Sequence, residues 1–109
     1  MNIGQLLDIA LTLPDVEETF PFGEEVLVLK VKGKMFLGIN LTADPLRINA
    51  KCDPEKAISL REEYEGILPG FHMNKKHWNT ILLNGTVPDQ LIRELIVHSY
   101  DLVTSGSKK

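Results

Sequence analysis

Val26-Leu27-Val28-Leu29-Lys30-Val31-Lys32-Gly33-Lys34-Met35-Phe36-Leu37-Gly38-Ile39-Asn40-Leu41 is the stretch that sets the fold class of this chain. Its first seven residues are rich in β-branched side chains, and Met35 to Leu41 is a second apolar run. Gly33-Lys34 between them reads as a two-residue hairpin loop, with glycine at the position that needs positive φ. Ala43-Asp44-Pro45 is the next turn, and Leu46 to Lys51 is a third strand. Three consecutive strands on short turns make an antiparallel meander.

Upstream, Ile3, Leu6, Leu7, Ala10 and Leu11 recur at helical spacing, so residues 3–13 read as an amphipathic helix stopped by Pro14. An acidic link follows, Asp15 to Glu18. Thr19-Phe20-Pro21-Phe22-Gly23 then reads as an extended piece pinned to the core by its two phenylalanines. Downstream, Asp53-Pro54 opens a second helix that runs until Gly66, with aspartate as N-cap and proline at the first helical position. Leu68-Pro69-Gly70-Phe71 suits a type II turn, and Trp78 to Leu83 is a further strand closed by Asn84-Gly85. Val87-Pro88 starts the last helix, whose buried stripe is Leu91, Ile92, Leu95, Ile96, Ser99, Leu102 and Val103. The order α-β-β-β-α-β-α makes an α+β fold of two layers, an antiparallel sheet with helices packed on one face. A short extra strand has room in residues 69–76.

With 109 residues, 43% of them hydrophobic and 25% charged, the chain is expected to form one globular domain over residues 1–104. Residues 105–109 read as a flexible tail. The apolar runs are too short to span a bilayer, so no membrane partner is expected. A single cysteine, Cys52, excludes an intramolecular disulfide and a zinc site of the multi-cysteine type. Met1 to Gln5 shows no secretion signal, and the expected location is the cytoplasm.

The net charge of −3 argues against a strongly electrostatic nucleic-acid binder on average. The average hides a pattern: residues 1–25 carry six acids and no base, whereas residues 26–52 carry five bases against one acid. In the third strand Leu46, Ile48, Ala50 and Cys52 share one face, and Arg47, Asn49 and Lys51 the other. In the first, Leu27, Leu29 and Val31 oppose Lys30 and Lys32. With the apolar sets against the helices, the open face displays Lys30, Lys32, Arg47 and Lys51, together with Phe36 or Met35. A basic sheet face bearing an aromatic has the make-up of a nucleic-acid platform. The plainer alternative is a solvated outer face guarded by lysines.

The densest polar cluster is His72-Met73-Asn74-Lys75-Lys76-His77-Trp78-Asn79-Thr80. Lysines can neutralise phosphates and asparagine amides can read adenine edges, while Trp78 is read as a core anchor. His72 and His77 lack the i, i+4 spacing of a helical metal pair. A nucleophile pair of Cys52 with His72 or His77 has no local support, since Cys52 ends an apolar strand face and packs there as a small hydrophobe. His98 lies beside the apolar stripe of the last helix as a hydrogen-bonded core residue. No phosphate loop, dinucleotide fingerprint or nucleophile elbow occurs, so neither an enzyme nor a cofactor is expected.

The nine-residue run from His72, with Leu13-Pro14, Phe20-Pro21-Phe22-Gly23, Lys32-Gly33-Lys34-Met35-Phe36, Lys51-Cys52-Asp53-Pro54, Pro69-Gly70 and His98-Ser99-Tyr100-Asp101-Leu102-Val103, resembles the MmcQ/YjbR family of small bacterial proteins. The resemblance runs in order from about residue 3 to residue 104. It implies a frataxin-like (CyaY-like) α+β fold, the double-wing DNA-binding motif, and a DNA-binding role named from that likeness. The frataxin likeness also implies iron binding, but the first helix carries only Asp8 as an acid.

The expectation is therefore a non-enzymatic nucleic-acid-binding protein with DNA as partner. Lys30, Lys32, Arg47, Lys51, Lys75 and Lys76 would meet phosphates, and Asn74, Asn79 and Phe36 would approach bases. Six engaged cations on B-DNA would give a slope of log K against log[salt] of roughly −5. The alternative is a protein-interaction module or homodimer that docks through the open face or the His72–Thr80 run.

Overall fold

The computed structural model describes residues 1–71 and 73–105. The chain forms α1 (Ile3–Leu11), β1 (Val16–Thr19), β2 (Val26–Val31), β3 (Lys34–Asn40), β4 (Arg47–Lys51), α2 (Pro54–Glu63), β5 (Ile67–Pro69), β6 (Trp78–Leu82) and α3 (Asp89–Ser105). The strands make one antiparallel sheet in the order β1-β2-β3-β4-β6-β5. The fold is α+β: α3 packs across β2, β3 and β4, α2 packs on β5 and β6, and α1 packs on α3. Among the described residues the other face of the sheet carries no helix. No helix among the described residues is long and apolar enough to cross a membrane.

Local chemistry explains the helix starts. Asn2 and Gln5 form a reciprocal capping box at α1, with Gln5 N–H donating to Asn2 Oδ1 at 2.8 Å and Asn2 N–H to Gln5 Oε1 at 2.9 Å. Asp53 Oδ2 accepts from the Lys56 N–H at 3.2 Å, and Pro54 occupies the first helical position, as the sequence indicated. The core lies between sheet and helices and contains Leu6, Ile9, Leu27, Leu29, Leu37, Ile39, Ile48, Ile81, Ile92 and Ile96.

Several elements differ from the sequence reading. The acidic link contains an edge strand, β1, whose Glu17 and Glu18 pair with Lys30 and Leu29. The extra strand is β5, which ends at Pro69, where the window given to it begins, and Gly70 lacks the positive φ of the type II turn expected there. Phe20 and Phe22 are 50% and 72% exposed, so they do not pin their segment to the core. Helix α3 continues to Ser105, into the expected tail.

The β2–β3 loop is Lys32-Gly33, one residue earlier than the sequence suggested. Both residues have positive φ, 54° and 77°. That is the signature of a type I′ turn, whose twist matches the strands it joins. Lys32 therefore occupies a left-handed conformation that costs a side-chain-bearing residue roughly 1 kcal/mol, less for asparagine. Lys32→Asn is expected to raise the unfolding free energy by up to about 1 kcal/mol, measured in a urea titration.

A bulge lies between β2 and β3. Leu29 pairs with Leu37 but Lys30 pairs with Met35, which leaves Phe36 as the extra residue. The inserted residue shifts the alternation, so Phe36 turns inward while Met35 lies on the open face. Phe36 is fully buried, edge-on to Tyr100 of α3 at 5.3 Å and 89°. The β3–β4 pairing ends at Leu37 and Ala50. Beyond it the buried Ser99 hydroxyl accepts from Lys51 N–H at 2.9 Å and donates to Phe36 C=O at 2.5 Å. Ser99→Ala leaves both backbone groups unpaired in the interior, a cost of about 1–3 kcal/mol in a denaturation experiment. A loss under a few tenths would show that water reaches them.

Candidate functional site

The face of the sheet away from the helices is the candidate surface. Strand register places Glu17 and Thr19 of β1, Val26, Val28 and Lys30 of β2, and Met35, Gly38 and Asn40 of β3 on it. Arg47, Asn49 and Lys51 of β4 and Trp78, Thr80 and Leu82 of β6 continue it. Phe71 and Met73 border part of this face. Phe71 N–H donates to Thr80 Oγ1 at 2.8 Å, and Asn49 Nδ2 donates to the Phe71 carbonyl at 3.3 Å.

A groove of about 310 Å³ results, lined by Phe22, Val26, Met35, Gly38, Asn40, Arg47, Ile48, Asn49, Phe71 and Met73. Its rim holds a guanidinium against an aromatic ring, with Arg47 Cζ 5.0 Å from the Phe71 centroid. Phe71 is 37% exposed, and Phe22 faces solvent across the groove.

The structure sorts the residues proposed from sequence into three groups. Lys30, Arg47 and Lys51 share the open face, though Lys30 stands directly opposite Glu17 and Arg47 is toward the far end of the strands from it. Asn74, Lys75 and Lys76 lie between Met73 and β6, where Asn74 and Lys75 are engaged in local contacts. Asn74 Oδ1 accepts from Lys76 N–H at 2.9 Å and from His77 N–H at 3.3 Å. Lys75 Nζ donates to the Gly70 carbonyl at 3.0 Å, and its own carbonyl accepts from Arg61 Nη2. Lys76 is exposed.

Lys32, Phe36 and Asn79 are not where the sequence reading put them. Lys32 is in the turn, beside a depression lined by Asp15 and Glu17. Phe36 is buried by the bulge. Asn79 is 2% exposed and faces the helices: its Oδ1 accepts from Arg61 Nε at 2.7 Å and its Nδ2 donates to the Ala57 carbonyl at 3.4 Å. It ties α2 to β6 and has no path to a base. Trp78, expected in the core, is half-buried on the open face opposite Lys51. His72 and Lys108-Lys109 lie outside the described residues.

Sequence reasoning missed the groove itself. Gly38, in mid-strand, was the available signal, because a strand glycine often marks close approach of a ligand or backbone. Phe22 and Phe71 carried no signal of their own, since each lies in a segment whose path is set by tertiary contacts.

Cys52 is buried, and burial pushes its thiol up to about 11, so at neutral pH it is a protonated thiol rather than a nucleophile. No group of three or more His, Cys, Asp or Glu side chains able to hold a metal ion occurs among the described residues.

The chain matches the model of the YjbR family over residues 11–102. The chain belongs to the YjbR family. Among YjbR relatives, the uncharacterised protein YbdF of Escherichia coli O157:H7 is 43% identical over 102 residues, 93% of this chain and 83% of the relative. The uncharacterised protein YjbR of Escherichia coli K12 is 30% identical over 100 residues, 92% of this chain and 85% of that one. A crystal structure of a Deinococcus radiodurans protein with the DUF419 domain superposes with a TM-score of 0.93 at 44% identity, covering 97% of this chain and 80% of its own. A Pseudomonas syringae crystal structure gives a TM-score of 0.80 at 31% identity, covering 94% and 98%. In this YjbR protein much of the His72–Thr80 run serves architecture: Asn74 caps a turn, Lys75 and Asn79 meet Arg61, and Thr80 holds Phe71.

His98 offers a pH-dependent contact. Its Nε2 accepts the Asp53 N–H at 3.2 Å, and burial, with help from Lys56, holds its pKa below the usual 6.5. A depressed histidine contributes stability that is complete above the unfolded-state value and falls as pH drops through about 6.5 toward the folded value. The stability difference between wild type and His98→Gln should therefore shrink between pH 7.5 and pH 5, measured by urea denaturation at each pH. A pH-independent difference would show that His98 does not titrate against the fold.

Proposed function

We propose that this YjbR-family protein is a non-enzymatic nucleic-acid-binding protein that takes single strands on the open face of its sheet. The observation that carries the reading is the Arg47 guanidinium over the half-exposed Phe71 ring, at the rim of a groove on the face that also bears Lys30 and Lys51. Exposed aromatics on a sheet stack unpaired bases, while nearby cations track the backbone. A duplex hides its base faces and asks for a broader cationic footprint than this face offers, which favours the single strand. Phe71 and Phe22 take the stacking role first assigned to Phe36. Lys30, Arg47, Lys51 and the exposed Lys76 take the phosphates.

Three or four neutralised phosphates on a single strand give a slope of log K against log[salt] of roughly −2 to −3. Fluorescence anisotropy with a labelled oligothymidylate tests this. Phe71→Ala and Lys51→Glu should each weaken binding several-fold, whereas Lys32→Glu should change it little. Absence of binding at low salt, or a slope near zero, overturns the proposal.

A protein-interaction role is the second reading, favoured by Phe22, which is 72% exposed at the groove rim. Light scattering separates the two: a dimer that dissociates on Phe22→Ser, with no oligonucleotide binding, favours the interaction module.

A further inference from the structure

We propose that the groove on the open face is a binding site for a small planar aromatic carboxylate. The proposal goes beyond nucleic-acid binding and stands without it. Three features of the groove specify this ligand.

The first is charge. Arg47 makes no ion pair among the described residues; its recorded side-chain contact is the Phe71 ring. A half-buried guanidinium beside an apolar groove, with no carboxylate among the described residues paired to it, is complementary to an anion, and its planar fork fits a carboxylate in two-point contact. Asn40, directly across the β3–β4 ladder from Arg47, also lines the groove. Its Oδ1 is occupied by Thr42 N–H at 3.2 Å and Thr42 Oγ1 at 3.3 Å, which leaves the amide NH2 as a second donor at the same end.

The second is the floor. Gly38 removes the side chain that would otherwise stand in the middle of the open face. A Cβ there would come within 2.8 Å of Met35 Cε and 3.9 Å of Asn49 Cβ. Glycine weakens a strand interior; here it lets the flexible Met35 thioether settle over the backbone, so the floor is Met35 resting on the buried Gly38, a surface a flat ring can lie against.

The third is the walls and the size. Phe22 and Phe71 flank the groove, and Met35 and Met73 add flexible thioethers, which make favourable contacts with aromatic rings. A volume of about 310 Å³ is at the small end for ligand sites, enough for a fused-ring acid and too small for a lipid or dinucleotide.

The test uses the whole protein without nucleic acid, so its outcome is separate from that of the oligonucleotide experiment. Amide NMR shifts are followed during titration with 2-naphthoate, with 2-naphthol as the uncharged counterpart and octanoate as the non-planar acid. Naphthoate should shift Gly38, Asn49 and Met73 and bind more tightly than either comparison compound. Arg47→Gln should weaken naphthoate by about tenfold, as expected for loss of one charge-assisted contact, and leave naphthol unchanged. Gly38→Val should abolish binding of both ring compounds by filling the floor, with retention of the remaining amide spectrum showing that the variant is folded. The proposal fails if millimolar naphthoate leaves the groove amides unshifted. It fails equally if naphthol binds as tightly as naphthoate to wild type, or if octanoate matches the aromatic acid.

Discussion

The hydroxyl of Ser99 stands where the ladder between β3 and β4 gives out, and most of the sheet's outer chemistry depends on that substitution. Phe36 C=O and Lys51 N–H lie beyond the last paired residues, and one side chain from α3 satisfies both. Without it, the interior would contain two unmatched backbone groups. With it, the bulge at Phe36 becomes a tolerable feature, and α3 is locked to the centre of the sheet rather than merely resting on it. Tyr100, the next residue along α3, meets the Phe36 ring at a right angle and donates to the Pro14 carbonyl at 2.5 Å. Two consecutive residues of one helix thus connect the sheet centre to the segment that follows α1.

The bulge also decides what the open face can present. By simple alternation Phe36, Gly38 and Asn40 would share a face, placing an aromatic ring over the middle of the sheet. The extra residue sends Phe36 inward and leaves Met35 and Gly38 outside. Burying the phenyl group contributes on the order of 2–3 kcal/mol to the core. Its departure opens the space that Phe22, Phe71 and Met73 border. Core packing and groove are two consequences of one inserted residue.

How much of this could be read from sequence follows the same physics. The meander and the helices were legible because periods of two and 3.6 run through most of their length, the start of β3 excepted, and because Asp53-Pro54 announces a helix. Arg47 and Lys51 were placed correctly because β4 has no bulge, so Ile48, Ala50 and Cys52 settle its faces. β1 was hidden because an edge strand buries little, and Val16-Glu17-Glu18-Thr19 has the composition of a link. β5 was hidden by its three-residue length and its proline. The bulge has no signature residue at Phe36, so its effect on parity could not be foreseen. Asn79 looked like a free amide because Arg61, which engages it, is 18 positions away in sequence. Much of the motif that points to the family fastens a loop, through Asn74, Lys75, Asn79 and Thr80.

Both outermost strands are short: four residues in β1, two of them glutamates, and three in β5, ending on Pro69. Neither offers the long, neutral row of free amide groups on which another chain could extend the ladder, and acids and proline both discourage such growth. Self-assembly into a continuous ribbon is disfavoured at either border.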